Sequence, residues 1–132
     1  MTGFPLKIVT PDGLEFDGMA EELVVRTISG DLGIMAKHVD CVAPLGMGEA
    51  TVVIDGQRRR AACIGGMVSV IGGSVNLVPT TFEWAEEIDV ERAEASEKRA
   101  QAVLANKNAT DTEIKLAKAR LRRALVRKNV RR

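Results

Sequence analysis

"AEEIDVERA" (residues 85–93) is where the chain changes its period. Upstream, short apolar runs alternate with polar residues and are punctuated by glycine. Downstream, "DVERAEASEKRAQAVLA" (89–105) holds strong helix formers with no Gly or Pro. The stretch divides the chain into an extended half and a helical half. Asp89 suits a helix N-cap, because its carboxylate can accept from free backbone N–H groups. Glu91 then sits well near the positive end of the helix dipole. Arg92 is not accounted for this way: it takes the third helical position, where a capping box favours Glu. A surface pair with Asp89 or Glu86 contributes only about 0–1 kcal/mol.

Residues 1–85 read as all-β. "VVIDGQRR" (52–59) places Asp55-Gly56 between two extended runs. Asp-Gly tolerates the positive φ angles of a type I′ turn, so the reading is a hairpin. "MVSVIGGSVNLV" (67–78) repeats this around Gly72-Gly73, with Val68, Val70, Val75 and Leu77 on one face. "TPDG" (10–13) and "LGMG" (45–48) are further turn signals. Several short strands at such spacing predict a sandwich or small barrel.

Residues 86–132 read as two helices. Val90, Ala93, Ala100, Val103 and Leu104 form a thin, alanine-rich stripe on the first. "NKNATD" (106–111) breaks the pattern, and Thr110 with Glu113 fits a capping box for a helix over 111–128. Ile114, Ala117, Leu121, Ala124 and Leu125 form its stripe. The expected architecture is α+β by content, an N-terminal β-sandwich followed by an antiparallel helical hairpin. Helices of this length are marginal alone in water, so a thin interface predicts a unit able to open.

The net charge of +1 hides an asymmetry. Residues 1–85 carry six basic and ten acidic side chains, residues 110–132 nine basic and two acidic. An anionic partner is therefore expected at the C-terminal segment. An antiparallel pairing about residue 108 sets Arg122 opposite Glu94, Arg123 opposite Ala93 and Arg127 opposite Asp89. The plain reading is a salt-bridged helix pair. The sharper one is an anion pocket built from Arg92, Arg122, Arg123 or Arg127, where acids such as Asp89 and Glu83 could take a ribose hydroxyl or an exocyclic amine.

Other classes have less support. Aromatic content is 3 %, which disfavours base stacking on aromatic platforms. A nucleic-acid-binding module using the basic tail is the main alternative, and a small enzyme using Asp89 and Glu83 as paired carboxylates is the next. Cys41 and Cys63 form no CxxC, and His38 has no second histidine at metal-ligand spacing, so reduced thiols and no metal are expected. No apolar run reaches the roughly 18 residues of a membrane span, and the N-terminus shows no signal-peptide pattern.

Four stretches together resemble one family: "KIVTPDGLEFDG" (7–18), "GDLGIMAKH" (30–38), Gly65-Gly66 before "MVSVIGGSVNLV", and "AEEIDVERA". Their order and spacing are similar to the epsilon subunits of F-type ATP synthases. The resemblance implies a non-catalytic subunit of the central rotor. Its sandwich would bind the gamma subunit and the membrane rotor ring of c subunits, and its helices would switch between compact and extended states. Extended helices would reach the alpha and beta catalytic subunits and inhibit ATP hydrolysis. It also implies a peripheral place on the cytoplasmic face of a bacterial plasma membrane, and no nucleic acid.

In some bacterial members ATP binds the compact form without being hydrolysed. The motif linked to that binding is matched by Ile88, Asp89, Arg92 and Ala93. Glu83, Arg99 and Arg122 lie at supporting positions, and Arg123 stands near Val126, which occupies a position often held by a further arginine. Asp31 and His38 match polar positions that approach the rotor ring. After His38 the family usually has Ala-Pro, and here Val39-Asp40 follows.

Overall fold

The computed structural model describes residues 2–131. The chain divides after Trp84 into two compact units.

In the first unit, eight strands among the described residues form the sandwich: β1 (Phe4–Thr10), β2 (Gly13–Ala20), β3 (Glu22–Thr27), β4 (Gly30–Ile34), β5 (Cys41–Pro44), β6 (Met47–Ile54), β7 (Gln57–Ile71) and β8 (Ser74–Trp84). The hydrogen-bonded order is β2-β1-β8-β7-β6-β3-β4, with β5 also on β7. One long hairpin, β7–β8, serves both layers. The first half of β7 pairs with β6, and its second half with β5. The first half of β8 pairs in parallel with β1.

The crossing is made at Gly65-Gly66, both at positive φ (69° and 95°). The β7–β8 register is the same on either side, Ile64 facing Thr81 and Gly66 facing Pro79. A Cβ on Gly66 would lie 2.0 Å from the Val78 carbonyl oxygen, so no side chain fits there. Strand alternation supplies the core: Leu6, Ile8, Leu23, Val25, Val52, Val68, Val70, Val75 and Leu77 are buried. Each such burial contributes about 1.5–3 kcal/mol.

The tight turns follow local chemistry. Asp55 and Gly56 both take positive φ (51° and 76°), as a type I′ turn requires. Gly72 and Gly73 do the same (58° and 83°). A distant carboxylate braces each loop: Glu21 accepts from the Gly56 N–H, and Asp40 from the Gly72 N–H. "TPDG" turns through Thr10 Oγ1, which accepts from Asp12 N and donates to the Gly13 carbonyl. "TISG" (27–30) repeats the device with Thr27, Ser29 and Gly30. "LGMG" differs from its expected tight turn. Leu45 bridges Thr27, and Met47 and Gly48 already belong to β6. Leu45 N donates to the Gly66 carbonyl and Gly46 N to the Arg26 carbonyl, so tertiary bonds shape this stretch.

The second unit opens with a 3₁₀ turn at Ala85–Glu87, then α1 (Val90–Ala105) and α2 (Asp111–Arg131). α2 runs about one turn beyond its expected end at 128, because no breaker intervenes before Arg131. The helices pack together as a hairpin. Ala93 and Ala100 of α1 and Ala117, Ala124 and Val130 of α2 are buried. Leu116 and Leu125 remain exposed. The interface is therefore thin: alanine methyl groups bury little area.

Candidate functional site

Two caps position the helices. Asp89 is the N-cap of α1, with extended backbone, and its Oδ1 accepts from Arg92 N at 3.1 Å. Thr110 and Glu113 form a reciprocal box. Glu113 N donates to Thr110 Oγ1 at 3.1 Å, and Thr110 Oγ1 donates to Glu113 Oε1 at 3.0 Å. Between them Asn106 turns the chain, its Oδ1 accepting from Asn108 N.

The hairpin holds a cleft of about 800 Å³ between α1 and α2. Ser96, Arg99, Ala100 and Val103 line it from α1. Glu113, Ala117, Arg120, Arg123 and Arg127 line it from α2. The arginines on α2 are three and four residues apart, which places them on one helix face. Arg123 and Arg127 are half-buried, and Arg99 and Arg120 are exposed. Among the described residues, Glu113 is the acid in this lining, and its Oε1 is already engaged by Thr110.

The site residues expected from sequence are not all brought to this cleft. Arg99 and Arg123 line it. Arg122 is exposed on another face of α2. Asp89 and Arg92 are exposed at the start of α1, while Ile88 and Ala93 are buried. Glu83 lies on β8 opposite Ala62. Arg127, a candidate for the anion pocket, also lines the cleft, and Arg120 was not among those expected, yet the regular spacing 120, 123, 127 in a basic segment is a signal that marks it. An ion pair joins the two helices at Lys128, whose Nζ lies 2.8 Å from Glu97 Oε1. Arg127 is among the residues that line the cleft.

In the sandwich, Asp31 on β4 faces Arg26 across the strand pair and is 2.9 Å from its Nε. Half-buried His38 follows Lys37, which turns the chain at φ 66°, and its Nδ1 donates to the Val39 carbonyl at 2.8 Å. Asp31 is thus held by a neighbour and His38 by its own loop. Among the described residues, no group of three or more His, Cys, Asp or Glu is placed to hold a metal. No described helix is long and apolar enough to cross a membrane.

Comparison with known proteins gives a consistent result along the whole chain. The family described as ATP synthase, Delta/Epsilon chain, beta-sandwich domain matches residues 3–85. Its companion, the long alpha-helix domain, matches residues 86–130. The chain is 44 % identical over 125 residues to the ATP synthase epsilon chain of Bacillus velezensis, covering 95 % of this chain and 94 % of the relative. It is 45 % identical over 110 residues to that of Bacillus subtilis, covering 83 % of each. In fold it is similar to a chain of the Euglena gracilis mitochondrial ATP synthase (TM-score 0.81, 21 % identity, 92 % of this chain and 77 % of that one). It also resembles a chain from the central stalk and c-ring of the Tetrahymena thermophila mitochondrial enzyme (TM-score 0.68, 15 % identity, covering 97 % and 96 %). The sandwich, the helical pair and these matches agree: the chain belongs to the ATP synthase delta/epsilon family, as an epsilon-type, non-catalytic subunit of that complex.

Proposed function

We propose that the sandwich couples the gamma subunit to the c-subunit rotor ring, and that the helical hairpin is a regulatory switch sensing ATP. Asp31 and His38 would face the ring. The observation that carries the switch is the thin alanine interface flanked by an arginine-lined cleft. A hairpin held by small side chains opens at a modest cost, and a polyanion in the cleft favours the closed form. A ligand that binds only the compact state adds RT ln(1 + [L]/Kd), about 2.7 kcal/mol at 100-fold over Kd. Differences of a few kcal/mol are enough to set such an equilibrium.

Plentiful ATP would then keep the helices folded without being hydrolysed. Scarce ATP would release them, letting the basic 115–132 segment meet acidic surfaces of the alpha and beta subunits and inhibit hydrolysis. The protein would work at the cytoplasmic face of a bacterial plasma membrane, as a peripheral part of the complex. The junction residues Ile88, Asp89, Arg92 and Ala93 carry the resemblance to nucleotide-binding relatives.

Titration of the isolated chain with ATP, followed by calorimetry and NMR, tests the sensor. A saturable signal at millimolar ATP or below, weakened in Arg92→Ala, is expected, and no signal in the wild type overturns it. Removal of residues 88–132 should leave assembly with gamma intact and relieve inhibition. Loss of assembly would contradict the division of labour.

A further inference from the structure

We infer that Asp55-Gly56 is a site of self-modification to isoaspartate, and that the Glu21 carboxylate guards it by holding the Gly56 N–H. The chain has three Asp-Gly pairs, at 12–13, 17–18 and 55–56. Glycine carries no Cβ to hinder its own nitrogen, so such pairs are open to one uncatalysed reaction. The glycine nitrogen attacks the protonated aspartate side-chain carboxyl. An N–Cγ bond forms, the Cγ–OH bond breaks, and the amide proton leaves with that hydroxyl as water. The product is a five-membered succinimide. Water then adds to one of its two carbonyls. Opening at the main-chain carbonyl leaves the peptide running through the side-chain carbon, which is isoaspartate. The two steps release and return one water, so no co-reactant is needed.

Asp55 and Gly56 form the exposed tip of the β6–β7 hairpin, and nothing lies within 4 Å of a Cβ built on Gly56. Packing therefore does not block the ring closure. Closure requires the Asp55-Gly56 peptide plane to turn about the Asp55 Cα–C bond, away from the positive-φ turn (51° and 76°). Glu21 opposes that rotation. Its Oε2 and Oε1 accept from Gly56 N at 3.0 and 3.2 Å. Glu21 is itself half-buried and anchored, its own N donating to the Val53 carbonyl at 2.8 Å. Turning the plane breaks a charge-assisted hydrogen bond. The carboxylate charge also disfavours negative charge developing on the nitrogen as its proton leaves. At Gly72-Gly73 the brace from Asp40 is similar, but neither turn residue is an aspartate, so it serves the turn alone. Isoaspartate at residue 55 would add one methylene to the main chain of a two-residue turn that closes Ile54 on Gln57.

Incubation of the full chain at neutral pH and body temperature, with isoaspartate measured at each Asp-Gly pair by peptide mapping and electron-transfer mass spectrometry, tests this. Asp12-Gly13 is the internal reference, because it lies at the opposite end of β2 from Glu21. Glu21→Ala should raise the rate at Asp55 about tenfold, the equivalent of one hydrogen bond to a charged acceptor, and leave Asp12 unchanged. Glu21→Gln keeps an acceptor without the charge and should give a smaller rise. Amide NMR shifts of the β6–β7 hairpin report whether each variant keeps the turn, and where Glu21→Ala opens it the Glu21→Gln result decides. A rate at Asp55 that is unchanged in both variants overturns the guard. A lower rate overturns it too, since Glu21 would then act as a base for the reaction. Isoaspartate absent from residue 55 in every form overturns the site itself.

Discussion

Lys128 Nζ donates to Glu97 Oε1 at 2.8 Å, tying the last turns of α2 to the middle of α1. This hydrogen bond is the main reason that the Lys128 ammonium is held above its ordinary pKa, with Glu97 and Glu94 charges adding to it against some desolvation. The thin alanine seam contributes little specificity along the helix axis, so the pair acts as a latch. Lys128→Met should leave the sandwich unchanged and let the end of α2 fray. Limited proteolysis with subtilisin should cut the C-terminal segment several-fold faster. A raised folded-state pKa stabilises below the unfolded value and is lost as pH rises through the folded one. The lysine's contribution to the latch is therefore full at neutral pH and is lost in strong alkali.

Gly66→Ala should destabilise the sandwich by about 3 kcal/mol or more. The added Cβ meets the Val78 carbonyl and the Pro79 Cα, which are backbone and part of the same ladder. Gly73→Ala is the control: it has a similar positive φ, yet nothing lies within 4 Å of its Cβ. Only the backbone strain of an L-residue remains there, about 1–2 kcal/mol. Urea unfolding of both variants measures the difference.

Cys63 lies buried on β7, and that burial pushes its thiol up to about 12 from 9.0. The unfolded chain loses the proton first, so stability is full below pH 9 and falls between pH 9 and 12. The slope is about 1.4 kcal/mol per pH unit. Cys63→Ala should remove this part of the alkaline loss while costing some packing at neutral pH. In the native protein a thiol reagent should label half-buried Cys41 first.

Thr110→Ala should cost the helical unit about 1 kcal/mol by removing an N-cap. Thr110→Ser keeps the hydroxyl and should recover most of it. Amide exchange at Glu113, whose N–H donates to Thr110 Oγ1, is the local readout.

Features that depend on a few neighbouring residues are legible in the sequence. Positive φ at Asp55-Gly56 and Gly72-Gly73, the Asp89 cap and the Thr110–Glu113 box are short-range chemistry, and the residue types name them. The alternation of Val68, Val70, Val75 and Leu77 likewise names a buried face. Family-like motifs added the sandwich and the helical pair as a whole. What stayed hidden depends on how distant segments meet. The passage of β7 through both layers rests on Gly65-Gly66 against Val78 and Thr80, a contact that hydrophobic periodicity does not encode. "LGMG" looked like a turn because glycine is locally permissive, but its carbonyl and N–H partners lie on distant strands. The arginine cleft is the sharpest case. The charge of α2 is plain in the sequence, but its rotation about its own axis is set by which alanines seat against α1. That rotation puts Arg120, Arg123 and Arg127 along the cleft and leaves Arg122 off it. A helix presents every residue to some direction, and packing against a partner chooses among them.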